Sequence, residues 1–159
     1  MRIYIAGPMG AFPDDDFNRK SFELAWKKIT EMGHIAISPH FLESTIDIES
    51  RTRMGMGQVY KYALPIDIFA LSSCEAAIAL PGWRKSRGSC FEEHAARLME
   101  IHWAEMGQYD YPANFAPAGP PRNHVETEAL NHYVHEMVKY LETVMRYQGE
   151  EDAKNSSDT

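Results

Sequence analysis

A seven-residue segment near the middle of the chain, 86–92, combines small residues, one basic residue and the carboxylate of Glu92. It follows an apolar run at 76–80 and precedes a helical pattern at 93–99, which indicates a strand, a loop and a helix. Small residues let a ligand approach the backbone, and free N–H groups at the start of a helix attract an anion. With Glu92 expected in the first turn of that helix, the pattern suggests chemistry on a phosphorylated small molecule.

The same residues also fit a purely structural interpretation. Ser89 and Glu92 have the spacing of a capping box, in which the serine caps the helix and the glutamate reaches back to it. Gly88 is then only a turn residue. Both interpretations stay open on the local sequence, so the surrounding elements have to discriminate between them.

Strand and helix patterns alternate along the chain. The predicted strands cover 2–6, 34–38, 76–80 and 101–106, and the predicted helices cover 14–32, 58–73, 89–99 and 125–147. Pro65 falls inside the second helix and is expected to kink it or to start a new turn. The alternation predicts an α/β fold: a single-domain, Rossmann-like parallel sheet over 1–147 with helices on both faces, followed by a disordered polar tail at 148–159.

Composition narrows the function classes. The 159 residues carry a formal net charge of −7 with no basic stripe, whereas binding to duplex nucleic acid needs clustered Lys and Arg. No apolar stretch approaches the length of a membrane span, and the N-terminus enters a strand without a signal-peptide pattern. Cys74 and Cys90 lack metal-ligand spacing, and His132 and His135 have no third ligand after them. We therefore expect a cytoplasmic protein with no metal, no cofactor, no duplex nucleic acid and no membrane as partner.

Three pieces of the sequence together resemble the nucleoside 2-deoxyribosyltransferase superfamily, including its nucleoside 5′-monophosphate N-glycosidase branch. They are the strand end YIAGPM at 4–9, Asp67 in the helix before the third strand, and the segment 86–92 with Ala96 four residues beyond Glu92. The resemblance covers roughly residues 1–99. No single piece is specific, but their order and spacing are.

The resemblance implies roles for individual residues. Glu92 is the nucleophile that attacks the anomeric carbon, Asp67 assists the departing or attacking group, and Tyr4 orients the Glu92 carboxylate. Ser86 lies where the monophosphate hydrolases place a phosphate-binding serine, whereas the plain transferases tend to have an acidic residue there. The other expected substrate-binding residues are Gly7, Met9, Arg19, Arg87, Gly88 and Ser89.

General chemistry is compatible with these roles. N-glycosidic cleavage passes through an oxocarbenium-like state that a nearby carboxylate stabilises. We expect the N–H groups at the helix start to keep Glu92 ionised. A second carboxyl at Asp67 could protonate the base or activate water, and a retaining glycosidase places its two carboxyl groups about 5 Å apart.

The sequence thus predicts hydrolysis of a (deoxy)nucleoside 5′-monophosphate through a covalent glycosyl-Glu92 intermediate. One alternative is a nucleoside deoxyribosyltransferase, which differs only in using a second base as acceptor in place of water. Another is a non-catalytic nucleotide sensor, which would need neither Glu92 nor Asp67. The resemblance also implies a homodimer or higher homo-oligomer, because the transferases complete their site with a neighbouring subunit.

Overall fold

The computed structural model describes residues 1–9, 17–42, 56–105 and 120–157. The strands in these ranges are β1 (Arg2–Ala6), β2 (Ile35–Ile37), β3 (Ala76–Ala79) and β4 (His102–Ala104). The helices are α1 (Arg19–Glu31), α2 (Pro39–Leu42), α3 (Met56–Leu71), α4 (Arg87–Leu98) and α5 (His124–Ser157), and a 3₁₀ turn at Trp83–Lys85 precedes α4.

The strands of this described part form one parallel sheet in the order β2-β1-β3-β4. The chain passes from β1 to β2 on one side and then crosses to β3 on the other side of β1. Tyr4 of β1 lies in register with Ile37 and Ala77. In open α/β sheets, ligands bind in the crevice at the carboxyl ends of two adjacent strands whose following connections run to opposite sides of the sheet. In this sheet the crevice is expected at the carboxyl ends of β1 and β3.

Alternate residues of β1 enter two different apolar cores. Ile3 and Ile5 pack with residues of α1 and α5 on one face, whereas Tyr4 and Ala6 pack with residues of α3 and α4 on the other. A strand buried on both faces needs a continuous apolar run, and this is why β1 and β3 carry one. The predicted Rossmann-like α/β architecture, with helices on both faces of a parallel sheet, is confirmed.

Two helices differ from their predicted extent. Pro65 lies inside a continuous α3, where proline lacks the N–H that would bond to the carbonyl of the exposed Lys61. Of the two predicted effects of Pro65, the new start of the helix was therefore wrong, and the kink stays a prediction. The last helix runs through Ser157 into the segment whose polar composition predicts disorder. That segment has no proline to interrupt the backbone hydrogen bonds, so the helix continues although it buries little there.

Several expectations fall outside the described residues. These are the first residues of the helix predicted at 14–32, most of the residues between the strand predicted at 34–38 and the helix predicted at 58–73, and most of those between the strand predicted at 101–106 and the helix predicted at 125–147. Within the described ranges, no helix combines the length and the apolar composition that crossing a membrane requires.

Candidate active site

The loops that follow β1 and β3 start side by side at the carboxyl edge of the sheet. The Leu80 N–H donates to the Ala6 carbonyl oxygen at 2.8 Å, which extends the strand pairing one residue past β3. An added Cβ at Gly7 would lie 3.0 Å from Phe22 Cζ and 3.1 Å from Leu80 Cβ. A larger residue after β1 would press on these two side chains, so Gly7 has a packing role whatever it binds.

Ser86 begins α4. Its backbone is extended (φ −96°, ψ 120°) and its Oγ accepts a hydrogen bond from the Ser89 N–H at 3.3 Å, while its carbonyl accepts from the Cys90 N–H at 3.0 Å. The interpretation in which Ser89 caps the helix, one of the two that the sequence left open, was therefore wrong. Two serines three positions apart are both competent caps, and the 3₁₀ turn before Ser86 decides between them.

The earlier start of α4 moves Glu92 into the second turn, six positions after the cap. The expected direct effect of the helix N-terminus on its carboxylate is correspondingly weak, because the macrodipole acts within the first turn. The capping-box interpretation of Ser89 and Glu92 is also excluded, since Ser86 occupies the cap. What Glu92 does instead follows from its side-chain contact.

Tyr4 and Glu92 form a buried hydrogen bond across the sheet–helix interface. The Tyr4 hydroxyl donates to Glu92 Oε1 at 2.9 Å, and the two residues are 0 % and 5 % exposed. A hydroxyl donor stabilises the charged form of a carboxylate, whereas burial disfavours that form. Because charged groups are rarely buried without a reason, this carboxylate is the strongest functional signal in the described residues.

A second buried carboxyl group lies on the neighbouring helix. Asp67 belongs to α3, which packs beside α4 on the same face of the sheet, and it is 6 % exposed. Asp67 and Glu92 are thus buried acidic residues on two helices that pack against each other. The role of Asp67 beside Glu92 stays a prediction.

Ser89 connects the two loops at the carboxyl edge. Its hydroxyl donates to the Gly7 carbonyl oxygen at 2.9 Å, and the residue is 1 % exposed. Next to it, an added Cβ at Gly88 would lie 3.3 Å from Tyr60 Cε1, so a larger residue would press on α3. Ser89 and Gly88 therefore help to hold α4 against β1 and α3.

The first loop is held from the other side by a network that sequence analysis did not identify. Asn18 is buried, donates from Nδ2 to the Pro8 carbonyl oxygen at 3.1 Å, and accepts from the Ser21 hydroxyl at 2.6 Å. His40 Nε2 donates to the Phe17 carbonyl oxygen at 2.9 Å. Phe17 and Asn18 both have positive φ (55° and 62°), which only a well-supported backbone sustains outside glycine.

The remaining predicted binding residues lie around this edge. Met9 is half-buried in the first loop and packs on the α1 side of the sheet, and Arg19 is the half-buried first residue of α1. Arg87 is exposed in the first turn of α4. The exposed Arg84 and Lys85 precede it, so Ser86 lies in a locally basic stretch of an acidic chain.

In residues 1–9, 17–42, 56–105 and 120–157, no group of three or more His, Cys, Asp or Glu side chains is arranged to hold an ion. Both cysteines are free thiols, and burial raises the pKa of the Cys74 thiol above its ordinary value. Cys90 is exposed on α4.

Comparisons with known proteins give one family and one remote structural likeness. The family described as "Domain of unknown function (DUF4406)" matches residues 1–104. A solved structure of a 2-deoxyribosyltransferase from the psychrotolerant bacterium Bacillus psychrosaccharolyticus superposes with a TM-score of 0.48 at 17 % identity, covering 81 % of this chain and 82 % of the other. No curated protein matches the sequence.

Proposed function

The chain belongs to the DUF4406 family, and we propose that it hydrolyses the N-glycosidic bond of a nucleoside 5′-monophosphate or its deoxy form. The products are the free base and the sugar 5-phosphate. The catalytic domain in this proposal comprises residues 1–147 and acts in the cytoplasm, where the free thiols of Cys74 and Cys90 stay reduced.

The buried Tyr4–Glu92 hydrogen bond is the observation that carries the proposal. A glutamate that caps a helix or lies on the surface is solvated and does not depend on a buried tyrosine donor. A nucleophilic carboxylate has to be held in one orientation, and the Tyr4 hydroxyl provides such a contact for Glu92. The Tyr4 hydroxyl fixes Oε1, and the carboxylate is then oriented for attack on the anomeric carbon. This geometry supports a covalent mechanism with Glu92 as the nucleophile.

The reaction has two displacement steps. In the first, a Glu92 carboxylate oxygen bonds to C1′ while the C1′–N bond breaks, and the Asp67 carboxyl gives its proton to the departing base. In the second, the Asp67 carboxylate takes a proton from water, the water oxygen bonds to C1′, and the ester bond to Glu92 breaks. At the end of the second step Asp67 is protonated and Glu92 is ionised, as at the start, so the reaction needs no other proton donor or acceptor.

The start of α4 supports a phosphate subsite. Ser86 Oγ accepts from the Ser89 N–H, so its own proton can still be donated to a ligand oxygen. The N–H groups of the first turn and the neighbouring Arg87 favour an anion at the same point. In this proposal Gly7, Met9 and Arg19 border the site from the first loop, while the Ser89 hydroxyl, which donates to Gly7, contributes by holding the loops together.

A panel assay tests the proposal. The protein is incubated with ribo- and deoxyribonucleosides and their 5′-monophosphates, and free base is quantified by chromatography. The proposal expects free base and sugar 5-phosphate from at least one monophosphate. Adding a second free base separates hydrolysis from transfer, because a new nucleotide or nucleoside forms only in the transferase alternative. Binding without turnover of any substrate would favour the sensor alternative.

We also propose that the chain forms a homodimer or a higher homo-oligomer. Helices α3 and α4 carry exposed apolar side chains around a shallow groove, including Phe69 and Phe91 at 78 % and 52 % exposure. An apolar surface of this kind on a soluble chain is typical of an interface. Sedimentation velocity over a range of concentrations checks the state, and Phe69→Glu with Phe91→Glu should shift it to the monomer.

A further inference from the structure

A carboxylate at the end of β4 is bonded to the turn that precedes the phosphate subsite. Glu105 accepts a hydrogen bond from Trp83 Nε1 at 2.6 Å and another from the Arg84 guanidinium at 2.7 Å. The Arg84 guanidinium also lies 5.1 Å from the centre of the Trp83 ring. One side chain thus holds two consecutive residues of the 3₁₀ turn.

The turn is held from its other sides as well. Trp83 is 7 % exposed and packs edge to face on Trp103 of β4, with ring centres 5.2 Å apart. The Cys90 thiol of α4 donates to the Arg84 carbonyl oxygen at 3.4 Å. Gly82, which begins the turn, has φ 82°, a conformation that glycine adopts without strain. The turn therefore has a defined position between β4 and α4.

The position of this turn sets the position of Ser86. The Ser86 N–H donates to the Trp83 carbonyl oxygen at 2.8 Å, and the next residue already belongs to α4. A displacement of Trp83 therefore moves the cap and the N–H groups behind it. Tyr4 and Glu92 are held by a separate contact on the sheet side of α4 and do not depend on the turn directly.

We propose that Glu105 is a positioning residue for the phosphate subsite: by binding Trp83 and Arg84 it places Ser86 and the first turn of α4 for recognition of the 5′-phosphate. This role rests on the proposed function. Glu105 would be the residue that sets the preference of the enzyme for a monophosphate over a nucleoside. Glu105 acts through the turn and touches neither the sugar nor the base. Its loss should affect phosphate recognition and leave the chemical step unchanged.

A graded set of variants tests this. Glu105→Gln keeps an oxygen acceptor for Trp83 but loses the charge that faces Arg84, and Glu105→Ala loses both contacts. We expect KM for the monophosphate to rise about tenfold in Glu105→Ala and less in Glu105→Gln, since one ordinary hydrogen bond corresponds to about a fivefold to tenfold change. The kcat for the monophosphate and the KM for the corresponding nucleoside should each stay within about twofold of wild type.

Glu142→Gln is the matched control. Glu142 resembles Glu105 in exposure (28 % against 22 % of the side chain) and in its two partners, the ring of His34 at 3.1 Å and Lys139 at 3.2 Å. It lies on α5 beside the amino end of β2, away from the subsite. A merely stabilising role for Glu105 predicts the same kinetics for both variants, with equal changes in melting temperature.

Hydrogen exchange measured by mass spectrometry provides a readout that does not depend on activity. Peptides covering 83–92 should exchange faster in Glu105→Ala than in wild type, while peptides of β1 and α1 stay unchanged. Unaltered exchange at 83–92, or an equal rise of KM for nucleoside and monophosphate, overturns the positioning role. A wild-type protein that cleaves no nucleotide overturns the proposed function instead, and the exchange result then still reports whether Glu105 holds the turn.

Discussion

Tyr4→Phe should reduce catalysis without disturbing the sheet. The substitution keeps the fully buried ring and deletes only the hydroxyl that donates to Glu92 Oε1 at 2.9 Å. A hydrogen bond to a charged group contributes about 1.5–3 kcal/mol, and because this bond exists without substrate, the free energy of unfolding should fall by about that amount. Without the hydroxyl the Glu92 carboxylate can turn away from its attacking orientation, so kcat/KM for the monophosphate should also fall, by roughly 10- to 100-fold.

The assay has to separate these two effects. Free-base release is measured per folded molecule, at a temperature well below the unfolding transition of the variant, and stability is measured by urea denaturation. Tyr133→Phe is the control, since the Tyr133 hydroxyl is equally buried and donates to the Ala79 carbonyl oxygen on the opposite face of the sheet. It should lose stability and keep kcat/KM. If Tyr4→Phe retains kcat/KM within about twofold, the orienting role of Tyr4 is refuted and the bond is only structural.

Other residues give independent predictions. Glu92→Gln should bind the monophosphate but release almost no base, because an amide cannot act as the nucleophile; retained release in the folded variant would contradict the mechanism. Ser86→Ala should weaken use of the monophosphate and spare the nucleoside, and Ser86→Asp should reverse the preference by repelling the phosphate; a parallel fall for both substrates would argue against the subsite. Burial raises the pKa of Glu142, but the hydrogen bonds from His34 and Lys139 outweigh it and lower that pKa below its ordinary value. Because the pKa of Glu142 is lower in the folded than in the unfolded protein, its carboxylate adds to the free energy of unfolding at pH values above its unfolded-state pKa. This contribution is lost as the pH falls through the folded-state pKa. The difference in unfolding free energy between wild type and Glu142→Gln should therefore be present at neutral pH and vanish in acid, as checked by urea denaturation at both.

The sequence predicted the sheet because its strands are strong local patterns, and the buried strand at Arg2–Ala6 is a continuous run of β-formers. The contact between Tyr4 and Glu92 joins residues far apart in sequence, and only the family resemblance implied it. The start of α4 was placed two positions too late, since Ser86 and Ser89 are chemically equivalent caps. Only the three-dimensional position of the 3₁₀ turn decides which serine is used.

The supporting residues could not be predicted because their partners are distant in sequence. Asn18 binds the carbonyl of Pro8, His40 binds that of Phe17 from beyond β2, and Glu105 binds a turn more than twenty positions earlier. None of them stands in a motif. Among these residues, the residue type of Asn18 was the only signal in the sequence. Asparagine tolerates positive φ better than most residues and could have indicated the left-handed backbone at this position.

In the proposed function, helix α4 would arrange phosphate recognition and glycosidic cleavage along one axis. The cap at Ser86 and the Cα of Glu92 are six residues apart, which is a rise of about 9 Å. Helical side chains lean toward the N-terminus, so the Glu92 carboxylate lies closer to the cap than its own Cα does. A nucleotide whose phosphate occupies the cap therefore extends its sugar toward this carboxylate, with β1 beneath it. Ser89 lies between the two points and has its hydroxyl bonded to Gly7, so the helix is locked to the sheet in the interval that the sugar has to span. The spacing of six residues, about 1.7 turns, would let one helix hold an anion at its start and a carboxylate further along without bringing the two negative charges into contact.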